Sequence, residues 1–313
     1  MEKNIIENSN TSFIITGATG WVGRNFLHEL QKIIPINIFN EKVFAFGSKS
    51  GQIYSTAYKK KIIIPIHPLS EIKSLLEKNR NFFVIHCAFL TREKISYYGI
   101  NKYIDINKNI LKNLEYVLNV CDTKRSVLIS SGAAESVEKK EINNIELKND
   151  PYGVLKFQEE QTFQRLSNCL IMRIYGLTGK FIRDPNIFAF GNFLLSAKKK
   201  ESIIIKSKSD VIRSYGYGND IARAGIYWLL KENNYPTKLI NAATHTANLI
   251  DLAKLISDIF DLPEVIYNID KNLKKNIYVC ENLEFRNFLK YFNIEPTSME
   301  KQIIKTYNSL NLI

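Results

Sequence analysis

Apolar and polar positions along the chain change period several times, and each change marks an element. Phe13-Ile14-Ile15 is an apolar run that stops at Thr16-Gly17. Val22, Phe26, Leu27 and Leu30 then recur at helical spacing. The pattern predicts a strand, a tight turn and a helix. Lys42–Phe46 reads as a second strand, ending at Gly47-Ser48-Lys49-Ser50, and Lys61–Ile66 as a short third. Ser70–Leu76 reads as a helix with Ser70 as its N-cap. Phe82–Ala88 is a continuous apolar run, as a strand covered on both faces requires. Within 103–121, Tyr103, Ile106, Ile110, Leu114, Val117 and Leu118 fall on one helical face, and Ser126–Ser131 follows as another strand. Strands alternating with helices through Ser131 predict an α/β fold built on a doubly wound parallel sheet.

Beyond Ser131 the stretch Glu135–Asn149 is polar and charged, and is predicted to be a surface loop. Pro151 is placed to open a helix. Tyr152 and Lys156 stand four apart on it, so they share a face. In an open α/β sheet, ligands bind beyond the carboxyl ends of the strands. Gly17, Gly47, Ala88 and Ser131 all fall at such ends, which predicts one shared crevice.

The first turn has the spacing Gly17-x-x-Gly20-x-x-Gly23 and includes Thr19, Trp21 and Val22. A turn without Cβ atoms lets the backbone approach a pyrophosphate. The free amides of the helix that follows meet the negative charge, and the third glycine permits close helix–strand packing. A site for NAD carries an acid at the end of the next strand, for the ribose hydroxyls. Here Ser48 and Lys49 stand there instead. A hydroxyl and a cation suit a 2′-phosphate, so NADP is expected ahead of NAD.

Composition narrows the class. The 313 residues are 45% hydrophobic, enough for a substantial core. Met1–Ser12 has no apolar signal core, and no apolar run is long enough to span a bilayer. A cytoplasmic protein without a membrane partner is expected. Cys87, Cys121, Cys169 and Cys280 are far apart, and the four histidines show no ligand spacing, so reduced thiols and no metal site are expected. The net charge of +12 is spread in short lysine clusters such as Lys59-Lys60-Lys61 and Lys198-Lys199-Lys200. That fits a solvated basic surface rather than the localised footprint of nucleic-acid binding.

Taken jointly, the motifs resemble the extended short-chain dehydrogenase/reductases of the NAD(P)-dependent epimerase/dehydratase family. The matching pieces are the glycine turn, His86-Cys87-Ala88, Asn107, Ser130-Ser131-Gly132-Ala133 and Tyr152-x-x-x-Lys156. Later matches are Leu170–Tyr175 with Gly179, Val211–Tyr215 with Asp220, and Ile240–Ala243 followed by Leu249–Ala253. The resemblance implies a Rossmann-type domain over 12–175, to which segments of about 205–245 return, and a smaller substrate lobe mostly over 176–313. It implies a nucleotide-activated sugar as substrate, a place in polysaccharide biosynthesis, and a homodimer built through helices at about 101–121 and 151–167. The chain departs from the family at Ala134-Glu135-Ser136, where Val-Tyr-Gly is common, and at Gly176, where Asn is common. Gly132-Ala133 also replace the acidic pair of the dehydratases, which ranks water elimination below reduction and epimerisation. The segment of about 265–313 carries no interpretable motif and is expected to cover the substrate lobe.

The resemblance assigns chemistry to particular residues. Tyr152 becomes the acid/base that exchanges a proton with a sugar oxygen. Its ordinary pKa of about 10 needs lowering by roughly three units for work near neutrality. Lys156 is to favour the phenolate and to hydrogen-bond the nicotinamide ribose. Ser131 is to hydrogen-bond the reacting oxygen. Asn107 is to support the region of Lys156, and Arg213 to hold the substrate diphosphate. Cys87 and Ala88 line the cofactor, His86 is a strand-end residue near it, and Asp220 caps or complements a helix. The expected function is 4-keto reduction of a nucleotide sugar. The alternatives are an NAD-dependent 4-epimerase, a dehydratase, or a cofactor-binding sensor without chemistry. A sensor does not need Ser131, Tyr152 and Lys156 together.

Overall fold

Residues 11–16 bury five of their six side chains, which a strand can do only when both its faces are covered. The computed structural model describes residues 11–58, 60–76, 81–120, 122–139, 147–165, 168–231 and 236–310. Its strands in chain order are β1 (Thr11–Thr16), β2 (Val43–Gly47), β3 (Gly51–Tyr54), β4 (Ile63–Pro68), β5 (Asn81–His86), β6 (Asp122–Ser131), β7 (Cys169–Ile174), β8 (Gly176–Thr178), β9 (Ile204–Ile205), β10 (Val211–Tyr217), β11 (Lys238–Asn241), β12 (His245–Asn248), β13 (Ile266–Tyr267) and β14 (Asn276–Tyr278). The chain divides into two compact units. One runs through Arg173 and takes in Gly225–Ile240, and the other is Ile174–Ala224 with Asn241–Ile313.

The first unit is built on an eight-stranded sheet in the order β11-β7-β6-β5-β1-β2-β4-β3. β1 runs parallel to β2 and to β5, with Thr16 beside Phe46 on one side and His86 on the other. β5 is parallel to β6, and β2 to β4. One core cluster gathers Ile14, Val84, Leu128 and Ile171 from the sheet with Leu114, Val117 and Phe163 from helices. The helix predicted over 103–121 is Ile100–Val120, and it buries Tyr103, Leu114 and Val117 as its spacing requires.

A charged cluster lies inside this unit. Arg173, 3% exposed, donates to both carboxylate oxygens of the fully buried Glu160, at 2.9 Å from Nε and 2.6 Å from Nη2. The same Nη2 reaches Glu138 at 2.7 Å. The Ser130 hydroxyl also bonds Glu160. Both oxygens of a carboxylate buried in the core are thereby satisfied.

Several local expectations are corrected. β3 pairs antiparallel with β4 at the sheet edge, although Gly51–Tyr54 is too short and too polar to signal a strand. Ser70 caps no helix: it sits inside a 3-10 turn, Leu69–Glu71, that leads into the short helix Ile72–Leu75. Glu135–Glu138 belongs to a helix, Gly132–Glu138, rather than to a loop. The Ser131 side chain caps that helix by accepting from the Ala133 amide at 3.2 Å, and Val137 packs inward on Val154. Cys121, Lys59 and residues 140–146 of the expected loop lie outside the described residues.

In the second unit β10 is flanked by β12, antiparallel, and by β14 and β8, both parallel. β9 and β13 form a separate parallel pair. The helices Ala189–Lys199, Leu249–Phe260 and Met299–Ser309 supply Phe193, Leu194, Leu252, Ile256 and Ile303 to one core with Tyr215 of β10. Asp220, 1% exposed, stands in the first turn of the helix Gly218–Leu230. Its carboxylate accepts from the Thr297 amide at 2.8 Å and the Thr297 hydroxyl at 3.0 Å. Asp220 thus complements the start of its helix, as expected, and also ties that helix to the segment at Thr297. Among the described residues no helix is long and apolar enough to cross a membrane.

Candidate active site

The glycine turn is explained by what surrounds it. Gly17 has φ +67, and a Cβ there would lie 2.7 Å from the Cys87 carbonyl and the Ala88 amide nitrogen. At Gly23 a Cβ would lie 2.2 Å from the Gly17 carbonyl oxygen. Both positions exclude any larger residue, because β1, β5 and the helix Trp21–Ile33 converge there. Gly20 differs. A Cβ there would meet the Gly17 oxygen at 3.2 Å and no other atom within 4 Å, so the space it faces is open. The helix Trp21–Ile33 starts without a side-chain cap and without an acid in its first turn, which leaves donors for an anion. Thr19 and the half-buried Trp21 and Val22 border this opening. These features fit a dinucleotide pyrophosphate. Gly17→Val is expected to weaken dinucleotide binding roughly tenfold or more, since forcing a β-branched residue into positive φ costs about 1–2 kcal/mol before any clash. Titration of dinucleotide into the folded variant checks this.

Ser131 ends β6, and the helix Pro151–Gln164 brings Tyr152 and Lys156 beside it. That helix is fixed at its start by Pro151 in the first turn and by Asp150, whose carboxylate accepts from the Gly153 amide at 3.1 Å. Tyr152 is half-buried, with the Ser131 hydroxyl in hydrogen-bonding reach of its phenol. Phe89 meets the Tyr152 ring edge-on at 5.7 Å, and the Arg92 guanidinium lies 5.3 Å from its centroid. Burial raises the Tyr152 pKa above its ordinary value, against the Ser131 hydrogen bond and the Arg92 charge. Glu159 and Glu93 push it further up.

Lys156 is 5% exposed and closely held. Its Nζ donates to the Ile129 carbonyl at 2.9 Å and to Glu159 Oε2 at 2.8 Å, and lies 4.0 Å from the Phe89 ring centroid. Glu159 Oε1 takes a hydrogen bond from His86 Nε2 at 2.9 Å, and His86 Nδ1 meets the Thr16 hydroxyl at 2.6 Å. Burial opposes ionisation of Glu159, but Lys156 and His86 hold its carboxyl below the usual range. Asn107 accepts from the Leu90 amide at 2.8 Å and donates to the Tyr103 carbonyl at 3.2 Å. It thus fixes the segment that carries Phe89 under the Lys156 ammonium.

The remaining sequence candidates are placed as follows. The Cys87 amide donates to the Thr16 carbonyl at 3.1 Å, and burial pushes the Cys87 thiol well up. Ala88 is half-buried at the same strand end, while Ser48 and Lys49 are exposed at the end of β2. Arg213 belongs to the second unit. Its guanidinium donates to the carbonyls of Ile212 and Asn276 and to Asn276 Oδ1, at 2.9, 2.7 and 3.0 Å, and burial lowers its pKa. The sequence reading missed Glu159 and Arg92 at this site. An acid one turn from Lys156 was the only available signal for Glu159. Nothing in the pattern distinguished Arg92 from the other cations.

Residues 13–243 match the model of the NAD dependent epimerase/dehydratase family, and the chain belongs to that family. The fold is shared with an epimerase from the thermophilic pseudomurein-containing methanogen Methanothermobacter thermautotrophicus, at TM-score 0.71 and 19% identity over 99% of this chain and 95% of that one. It is shared with a UDP-N-acetylglucosamine 4-epimerase from Methanobrevibacter ruminantium M1, solved with UDP-N-acetylmuramic acid, at TM-score 0.70 and 18% identity over 96% and 98% of the two chains. A UDP-glucuronic acid 4-epimerase from Bacillus cereus, solved with UDP-glucuronic acid and NAD, gives TM-score 0.65 and 16% identity over 96% and 99%. No curated protein sequence matches the chain at a significant level. The family match makes the chain an NAD-dependent enzyme of the epimerase/dehydratase type, and these neighbours share its fold.

Proposed function

We propose that the chain is a 4-epimerase of a UDP-activated sugar. The observation that carries this reading is the convergence of Ser131, Tyr152 and Lys156 in the unit that holds the glycine turn. The 4-epimerase neighbours favour it over the keto reduction expected from the sequence. Gly17, Gly20 and Gly23 with the start of the Trp21–Ile33 helix hold the pyrophosphate, and Lys156 holds the nicotinamide ribose. A bound nicotinamide dinucleotide supplies hydride exchange at a sugar carbon. Tyr152 takes the proton of the sugar 4-hydroxyl and later returns it. Ser131 donates to the same oxygen and stabilises its developing charge. Two copies of the chain pair through the Ile100–Val120 and Pro151–Gln164 helices.

The β2 end supports a second reading. No acid stands there, and the exposed Ser48 and Lys49 suit a 2′-phosphate, as an NADPH-consuming 4-keto reductase would need. Two measurements separate the readings. Mass spectrometry of the purified protein is expected to find retained NAD, and incubation with UDP-N-acetylglucosamine or UDP-glucuronic acid is expected to yield the 4-epimer. A protein that retains no dinucleotide, binds NADPH more tightly than NADH and leaves both sugars unchanged overturns the epimerase.

A further inference from the structure

Lys156, Glu159, His86 and Thr16 form an unbroken hydrogen-bonded chain inside the first unit. All four are at most 5% exposed. Each Glu159 oxygen has its own donor: Oε1 faces His86 and Oε2 faces Lys156. A carboxylate only accepts, so His86 Nε2 carries a proton, and in the neutral ring Nδ1 then accepts from the Thr16 hydroxyl. His86 is held flat against Phe163, with ring centroids 5.9 Å apart. An ammonium has three donors. Two of those on Lys156 are taken by Glu159 and Ile129. One remains for the ribose hydroxyls that the function proposed above assigns to it.

We infer that Glu159 is a positioning residue: backed by His86 and Thr16, it aims the Lys156 ammonium and balances its charge, so that Tyr152 senses a neutral pair rather than a free cation. The inference rests on the epimerase reading only for its consequence in catalysis, since the pair itself is formed by the chain's own residues. The groups facing Tyr152 are Ser131, Arg92 and Glu93, with Tyr103 from the Ile100–Val120 helix and Glu159 on its own helix. Those facing the pair are His86, the Cys87 thiol, the Phe89 ring and the Ile129 carbonyl. Arg92 is 61% exposed on its side chain and already engages Asp150 at 3.3 Å, so solvent screens it. The state of the buried pair therefore sets the charge beneath the phenol. Activation of Tyr152 is left to events that redistribute the Lys156 charge, of which sharing its third donor with the ribose is one.

The test is a pH titration of tyrosinate absorbance on the purified full chain, stripped of any dinucleotide it retains. Each sample is read against the same protein carrying Tyr152→Phe, which isolates one phenol among 16 tyrosines. Glu159→Gln removes a negative charge and leaves the ammonium, so the Tyr152 midpoint is expected to fall by about one pH unit. Glu159→Asp keeps the charge and is expected to restore the wild-type midpoint. The double variant Lys156→Met/Glu159→Gln removes both charges and is expected to titrate within about half a unit of wild type, as a balanced pair requires. It also guards against a single variant that fails to fold, because replacing both members of a buried ion pair is often close to neutral for stability. An unmoved midpoint in folded Glu159→Gln overturns the inference. So does a rise of about one unit or more in the double variant, which would show that Lys156 had acted as an unbalanced cation. A wild-type protein that epimerises no sugar would refute the function proposed above and leave these titrations standing.

Discussion

Tyr152→Phe is expected to lower turnover by a factor of about 10² to 10⁴, the usual worth of a positioned general acid/base, with little change in dinucleotide affinity. The substitution deletes one hydroxyl. The ring contact with Phe89 and the Arg92 guanidinium above it need only the aromatic ring, so the fold and the helix start at Asp150 persist. Ser131 keeps its contact with the Ala133 amide. The effect should therefore appear in kcat, and KM should stay near wild type, because the lost interaction is proton exchange and not substrate binding. Steady-state kinetics on the folded variant, with dinucleotide titration alongside, is the measurement. A variant that keeps wild-type kcat would remove Tyr152 from the chemistry.

The pH dependence has a definite sign. Burial raises the Tyr152 pKa above its ordinary value, so near neutrality the phenol is protonated. Wild-type activity is therefore expected to rise with pH toward the alkaline side until the phenol, lowered by bound cofactor and substrate, has titrated. Glu159→Gln should move that rise to lower pH. The general chemistry of a Tyr–Lys pair was legible from its spacing on one helix face. The charge state of the pair was not, because it depends on a histidine from β5 and a glutamate that the sequence offers only as one of two adjacent acids.

The same division holds across the molecule. Strands covered on both faces, such as Phe82–His86, and the strand–turn–helix around Gly17 were legible because long-range packing and local pattern agree there. The Gly132–Glu138 helix was hidden by its charge: Glu135 and Glu138 read as loop, while the cap on Ser131 and the inward Val137 decide the matter. β3 was missed because an edge strand can be short and exposed. Asp220 was legible as an acid at the start of a helix, but its hydrogen-bond partner Thr297 lies 77 residues away in sequence. Functional residues that act through distant partners leave little trace in local pattern.

The Glu160–Arg173 pair is where that loss of legibility carries the largest expected effect on stability. Sequence offered Arg173 only as a strand residue and Glu160 only as the second of two adjacent acids. In the structure Glu160 is fully buried and takes two bonds from Arg173 and one from Ser130. Burial opposes the charge on Arg173, but its hydrogen bonds to Glu160 and Glu138 outweigh it and hold the guanidinium firmly protonated. Arg173→Met is expected to destabilise the fold by about 3–5 kcal/mol, because it strands a buried carboxylate. Adding Glu160→Leu should recover most of that loss, since the apolar pair no longer has a charge to solvate. The check is chemical denaturation of wild type, both single variants and the double, with the coupling read from the cycle. A double variant as unstable as Arg173→Met alone would mean that the cost comes from lost packing around the Arg173 side chain, and the stranded charge would be eliminated as its cause.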